Sequence, residues 1–140
     1  MKGFPYKITI TAVYCPPRHN LKKGHFETFF QTLGPKFIAG GDYNSRHTLW
    51  GSRLATTKGS ELSKVIQEKN YSFLSIGTPT HWPTDGNKNP DLLDFFVTNG
   101  ISSTSTDIQS SYDLTSDHSP IVATLSTTVI VRKPTPRLYN

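Results

Sequence analysis

The chain has 140 residues, 34% of them hydrophobic, with ten glycines, ten prolines and a single cysteine, which gives room for one domain with a core and excludes an internal disulfide framework. The lone Cys15 fits an intracellular compartment, and no apolar run is long enough for a signal peptide or a membrane span. Fifteen basic residues against ten acidic ones give a formal charge of +5, which suits an acidic partner such as nucleic acid without demanding one.

Residues 6–15 alternate Ile8, Ile10, Ala12 and Tyr14 against Thr9, Thr11 and Val13, a β-branched pattern that predicts a strand ended by Pro16 and Pro17. Lying so near residue 1, this strand must find its neighbours later in the chain or in another molecule. Phe26, Phe29, Phe30 and Leu33 fall at helical spacing and predict a short amphipathic helix over 25–33, closed by Gly34 and Pro35. A second strand follows over 37–44. Its alternation places Ile38, Gly40, Asp42 and Asn44 on one face, so Asp42 and Asn44 are expected to point the same way, and the two glycines to let something large approach the backbone, a bulky substrate or a packed partner strand.

The loop over 45–53 is polar and basic but for Trp50, which is expected to pack within it. Leu62, Val65 and Ile66 predict a second helix over about 60–69. Residues 71–76 read as a short strand or extended segment, and the two prolines of 78–83 impose extended geometry there too. Residues 92–97 form the clearest strand, with one anomaly: Asp94 stands between Leu93 and Phe95, where a carboxylate is costly unless paired. His118 is its natural partner. Residues 100–111 are rich in Ser and Thr and hold at most a short strand; 116–120 form a polar turn; 121–125 alternate as a closing strand. The domain is expected to span 1–128, and 129–140 to be a basic, proline-broken tail or linker.

Four features stand at strand ends or turns: Tyr14, Asp42 with Asn44, Asp94, and Asp117 with His118. Phosphodiester hydrolysis needs an activated water, a cation against the charge of the transferring group and stabilisation of the leaving oxygen. Carboxylates and an amide supply oxygen ligands for Mg²⁺, and a histidine held by a second carboxylate has a fixed tautomer. Each feature also has a plain structural account: Asp42-Asn44 and Asp117-His118 as Asx-type turns, Asp94 as an ion-pair partner, Tyr14 as a core aromatic.

The segments Tyr14-Cys15-Pro16-Pro17, Gly41-Asp42-Tyr43-Asn44, Leu93-Asp94-Phe95 and Ser116-Asp117-His118-Ser119-Pro120 occur in an order that resembles the endonuclease/exonuclease/phosphatase superfamily. The run from Asp42 to Ser52, and Thr78-Pro79-Thr80-His81, resemble more narrowly the endonuclease domain of jockey-type non-LTR retrotransposons. The resemblance implies an α/β fold, the C-terminal half of a DNase I-like four-layer α/β/β/α sandwich, mostly antiparallel with flanking helices. It implies strand nicking of double-stranded DNA for target-primed reverse transcription, with Mg²⁺, or Mn²⁺ in its place, in the nucleus.

By the same resemblance Asp42 activates the attacking water, Asn44 contacts the scissile phosphate, and His118 paired with Asp94 binds or protonates there. Tyr14 assists at the phosphate or leaving group, Asp117 lies near the metal, and Arg46, His47 and Arg53 contact DNA. The superfamily's upstream half, with its asparagine motif and metal-binding glutamate, has no match here; Glu27, Glu61 and Glu68 all fall on predicted helices. Two other readings therefore stand beside the nuclease: a catalytically incomplete DNA-binding or self-assembling fragment that pairs with an upstream half, and a superfamily phosphatase. A reverse transcriptase domain would join downstream.

Overall fold

The computed structural model of the chain describes residues 7–102, 106–111 and 116–126. In chain order the elements are β1 (Thr9–Tyr14), α1 (Lys23–Thr32), β2 (Phe37–Asp42), a 3₁₀ turn (Thr48–Trp50), α2 (Thr57–Glu68), β3 (Ser72–Leu74), β4 (Asp94–Asn99), β5 (Thr106–Ser110) and β6 (Ile121–Leu125). Strands β1, β2, β4 and β3 lie side by side in one sheet, and β5 pairs with β6. β1 runs parallel to β2 across the α1 connection, while the other three pairings are antiparallel. The neighbour that β1 finds later in the chain is β2. Among the described residues the other edge of β1 is open.

The phenylalanine spacing of α1 does what it predicts: Phe26 and Phe30 are buried, and Phe30 stacks on Phe37 of β2 at 5.5 Å between ring centroids. From α2, Leu62, Val65 and Ile66 complete the layer that covers Phe37, Ala39, Phe95 and Val97 of the sheet. Trp50, as its loop position suggested, is packing: it is buried, stacks on Phe95 at 4.7 Å and donates its indole N–H to the Ser45 carbonyl at 3.0 Å. Glu27, Glu61 and Glu68 are used on the helix surface, where they gather around Lys23.

Two of the boundaries that differ from the sequence reading bear on the site. α2 starts at Thr57, three residues early, because the Thr56 hydroxyl accepts the Gly59 N–H at 3.1 Å and caps it. β2 stops at Asp42, and Asn44 takes a left-handed conformation with φ 45°, so alternation does not place Asn44 beside Asp42. A turn does, through the Asn44 N–H donated to Asp42 Oδ1 at 2.9 Å. Of the two uses expected of the β2 glycines, the structure shows the packed partner strand and not a bulky substrate. A Cβ on Gly40 would lie 2.1 Å from the Phe96 ring, and one on Gly41 2.1 Å from the Val13 carbonyl oxygen; the close approach comes from within the sheet. The tail at 129–140 lies outside the described residues, as does the start of the predicted first strand.

In-register neighbours share a face. Opposite the helices the sheet therefore presents rows headed by Ile10, Ala12 and Tyr14, the last continuing through Asp42 to Asp94. Ile10 is 77% exposed and Tyr14 69%.

Gly59, in the first turn of α2, sits where a Cβ would fall 1.7 Å from the Arg46 carbonyl oxygen. On an exposed helix a Gly→Ala change stabilises by roughly 0.5–1 kcal/mol. Here the sign reverses: Gly59→Ala is expected to cost about 1–3 kcal/mol in chemical denaturation, and an unchanged or raised midpoint would refute this packing.

Candidate active site

The row Tyr14, Asp42, Asp94 runs across the C-terminal ends of β1 and β2 and the start of β4, which pair in register at these positions. Two carboxylates on adjacent strands repel unless something positive lies between them. His118, from the turn before β6, supplies it. Its Nδ1 is 2.7 Å from Asp94 Oδ2 and its Nε2 is 3.7 Å from Asp42 Oδ2, so one imidazole bridges both acids. The pairing of Asp94 with His118, expected from the cost of a carboxylate in an apolar strand, is realised.

A third group, invisible in the sequence as a site residue, completes Asp94. Thr80 is fully buried and donates its hydroxyl to Asp94 Oδ2 at 2.7 Å, while its oxygen accepts the N–H groups of Leu93 and Asp94 at 3.0 Å each. The sequence signal for it was the Thr78-Pro79-Thr80-His81 segment, which resembles the jockey-type endonuclease domain but gives Thr80 no role of its own. Next to it, the His81 ring packs at a tilt against His118, 4.7 Å between ring centroids, and its Nε2 lies 3.4 Å from Asp117 Oδ2. Backbone bonds fasten the two segments: Ser119 N–H donates to Thr80 O at 2.7 Å and Trp82 N–H to Asp117 O at 2.6 Å.

Burial raises Asp42 above the usual carboxylate value, and the charge of Asp94 adds to it; the Asn44 N–H, His118 and His81 pull it partly back. For His118, burial works against the charged ring, but the Asp94 hydrogen bond and the charges of Asp94, Asp42 and Asp117 prevail and raise it above the ordinary histidine value. The site therefore holds an imidazolium between two acids at a higher pH than a free histidine would allow.

Asn44 is fixed by its side-chain amide, which donates to the Cys15 carbonyl at 2.8 Å. Cys15 itself is buried, and that burial raises its thiol. Around Asn44 lie two clefts of about 480 and 540 Å³ that share Pro17, Asn44 and Arg46. Arg46 is held by Asp91 at 3.3 Å, and the exposed Arg53 lines the larger cleft. His47 is turned to its own loop, where Nδ1 accepts the Leu49 N–H at 2.9 Å and the ring packs on Trp50. Arg18 and Lys58, not singled out by the sequence, line the smaller cleft; Lys58 is buried and donates to the Pro16 carbonyl at 3.2 Å. Asp117 is half-exposed at the mouth of the site.

The profile of the endonuclease-reverse transcriptase family matches residues 8–122. The chain belongs to that family. It is 39% identical over 127 residues to the RNA-directed DNA polymerase from mobile element jockey of Drosophila funebris, covering 91% of this chain and 14% of that protein. Similar too are the jockey polymerase of Drosophila melanogaster, at 40% over 127 residues with the same coverage, and the probable RNA-directed DNA polymerase from transposon BS of that species, at 33% over 133 residues, 95% of this chain and 15% of that one. The chain thus spans about one seventh of the length of these curated relatives.

Among solved structures, the endonuclease domain of TRAS1, a telomere-specific non-LTR retrotransposon, superposes with a TM-score of 0.72 at 25% identity, over 83% of this chain and 56% of that one. This endonuclease-family chain accordingly has the expected α/β architecture, the C-terminal half of a DNase I-like sandwich. No helix among the described residues is long and apolar enough to cross a membrane.

Because the folded-state value of His118 lies above its unfolded value of about 6.5, its ion pairs stabilise the fold fully below that pH. The contribution is lost as pH rises through the folded value. In metal-free buffer, His118→Gln should therefore cost the most stability below about pH 6.5 and progressively less above it. Asp94→Asn should move the His118 ring titration down by NMR; a titration left where it was would mean that Asp94 does not hold the proton.

Proposed function

We propose that this domain is a Mg²⁺-dependent DNA endonuclease that nicks one strand of a duplex and leaves a 3′-hydroxyl to prime reverse transcription in the nucleus. The observation that carries the reading is His118 bridging Asp42 and Asp94 on paired strands, together with membership in the endonuclease family and polymerase-bearing relatives several times longer than this chain.

In this mechanism Asp42, whose Oδ2 is free of the Asn44 turn bond, takes the proton of the attacking water. Asn44 borders both clefts and meets the phosphate. The His118 imidazolium, oriented by Asp94, donates from Nε2 to a phosphate oxygen as negative charge develops. Tyr14, exposed at the end of the row, serves the leaving oxygen. The donor set suits a hard cation that binds through one or two carboxylates and the substrate's own phosphate: Asp117, half-exposed, would hold Mg²⁺, which when bound offsets charge on the transferring group. Arg46 and Arg53 would meet the DNA backbone along the larger cleft. The supercoiled-plasmid nicking expected with Mg²⁺, and absent with EDTA, should fall about 10²–10⁴-fold in Asp42→Ala and in His118→Ala. Nicking that survives in both variants would refute their roles.

A second reading is favoured by the exposed row of Ile10 and Tyr14 and by a match to only 56% of the TRAS1 domain. On it, the site works only when a preceding segment of a longer protein covers this face. A folded chain inactive alone, but nicking and melting higher once co-expressed with that segment, would support this reading. Full activity alone, unchanged by the segment, would oppose it.

A further inference from the structure

We propose that His81, Asp117 and His118 form a binding site for a borderline divalent cation of the Zn²⁺ class, distinct in chemistry from the Mg²⁺ role assigned to Asp117 above. One ligand atom from each of the three lies within 4.8 Å of the others. A tetrahedral ion with bonds of 2.0–2.1 Å needs its ligand atoms about 3.3 Å apart. His81 Nε2 and Asp117 Oδ2 already stand at 3.4 Å.

The third ligand is prepared by its own partner. His118 Nδ1 is engaged by Asp94 at 2.7 Å, so Nε2, which stands at a longer 3.7 Å from Asp42 Oδ2, is the nitrogen a metal would take. A carboxylate behind the far nitrogen of a metal-bound histidine fixes the tautomer, orients the ring and strengthens the ligand. Thr80, bonded to the same Asp94 oxygen, holds that carboxylate in turn. The segments that carry the ligands are also joined by backbone hydrogen bonds, Ser119 to Thr80 and Trp82 to Asp117, with a bridge between His81 and His118. Little ordering remains to be done when an ion arrives.

Two imidazoles and one carboxylate select against Mg²⁺, which prefers oxygen ligands in octahedral array, and for Zn²⁺ and its neighbours. The consequence for activity rests on the nuclease reading. An ion in this position takes Nε2 of His118 away from the phosphate and Asp117 away from Mg²⁺, so Zn²⁺ acts as an inhibitor that Mg²⁺ does not readily displace.

The test uses Co²⁺ as a coloured substitute for Zn²⁺ on the whole chain, with no DNA present. One equivalent should bind with the intense visible bands of a four- or five-coordinate ion, give way to Zn²⁺, and persist in millimolar Mg²⁺. His81→Gln keeps a hydrogen-bonding side chain of similar reach and should lose those bands and at least about tenfold in affinity. His25→Ala, whose imidazole caps α1 away from the cluster, should titrate like the parent. Equal Co²⁺ affinity in parent and His81→Gln, or only the pale bands of a six-coordinate ion, would overturn the site. Because this readout needs no catalysis, a chain that binds Co²⁺ through His81 yet never nicks DNA would fail the nuclease reading and leave the metal site standing.

Discussion

The constraint on which the rest of this structure depends is the register of β2 against β4, which sets Asp42 directly opposite Asp94. A shift of one residue would turn one of the two acids toward the helices, into a layer filled by Phe37, Ala39, Phe95 and Val97. The aromatic packing enforces that register. Tyr43 stacks on Phe95 at 4.5 Å, Trp50 stacks on the same ring at 4.7 Å, and Phe96 lies across Gly40 on the opposite face of the sheet. Hydrophobic burial on one side of the sheet thus decides the geometry of charge on the other.

Two carboxylates so placed are unfavourable by themselves, and the molecule answers with groups from distant parts of the chain. His118 bridges them, Thr80 donates to Asp94, and the Asn44 N–H donates to Asp42. Each group carries a hydrogen bond that partial burial strengthens relative to water. The same arrangement raises both Asp42 and His118, which is the electrostatic signature expected where a base and an acid work side by side.

The flanks follow a similar logic. Asp91 is buried and accepts from the Arg53 and Leu92 backbone N–H groups while pairing with Arg46. One carboxylate therefore organises the basic loop that borders the clefts. Lys58 ties the start of α2 to the loop after β1. The open face with Ile10 and Tyr14 gives the opposite impression: it is a sheet surface built to the same alternation as the covered one but left in contact with water among the described residues.

What the sequence by itself determined was local or additive. Helical spacing of Phe26 and Phe30 and of Leu62, Val65 and Ile66 marked the helices, β-branched alternation marked β1 and β6, and an acid between Leu93 and Phe95 marked Asp94 as paired. The motif order marked the family. Tertiary structure alone decided that Asn44 reaches Asp42 through a left-handed turn, that the glycines of β2 serve Phe96 and Val13, and that Thr80 bonds Asp94 while His81 packs against His118. The physical reason is separation along the chain. A hydroxyl 14 residues from Asp94, or a ring 37 residues from His118, leaves no periodic trace, because its partner is set by strand register and by backbone pairing between loops, and these exist only once the chain has folded.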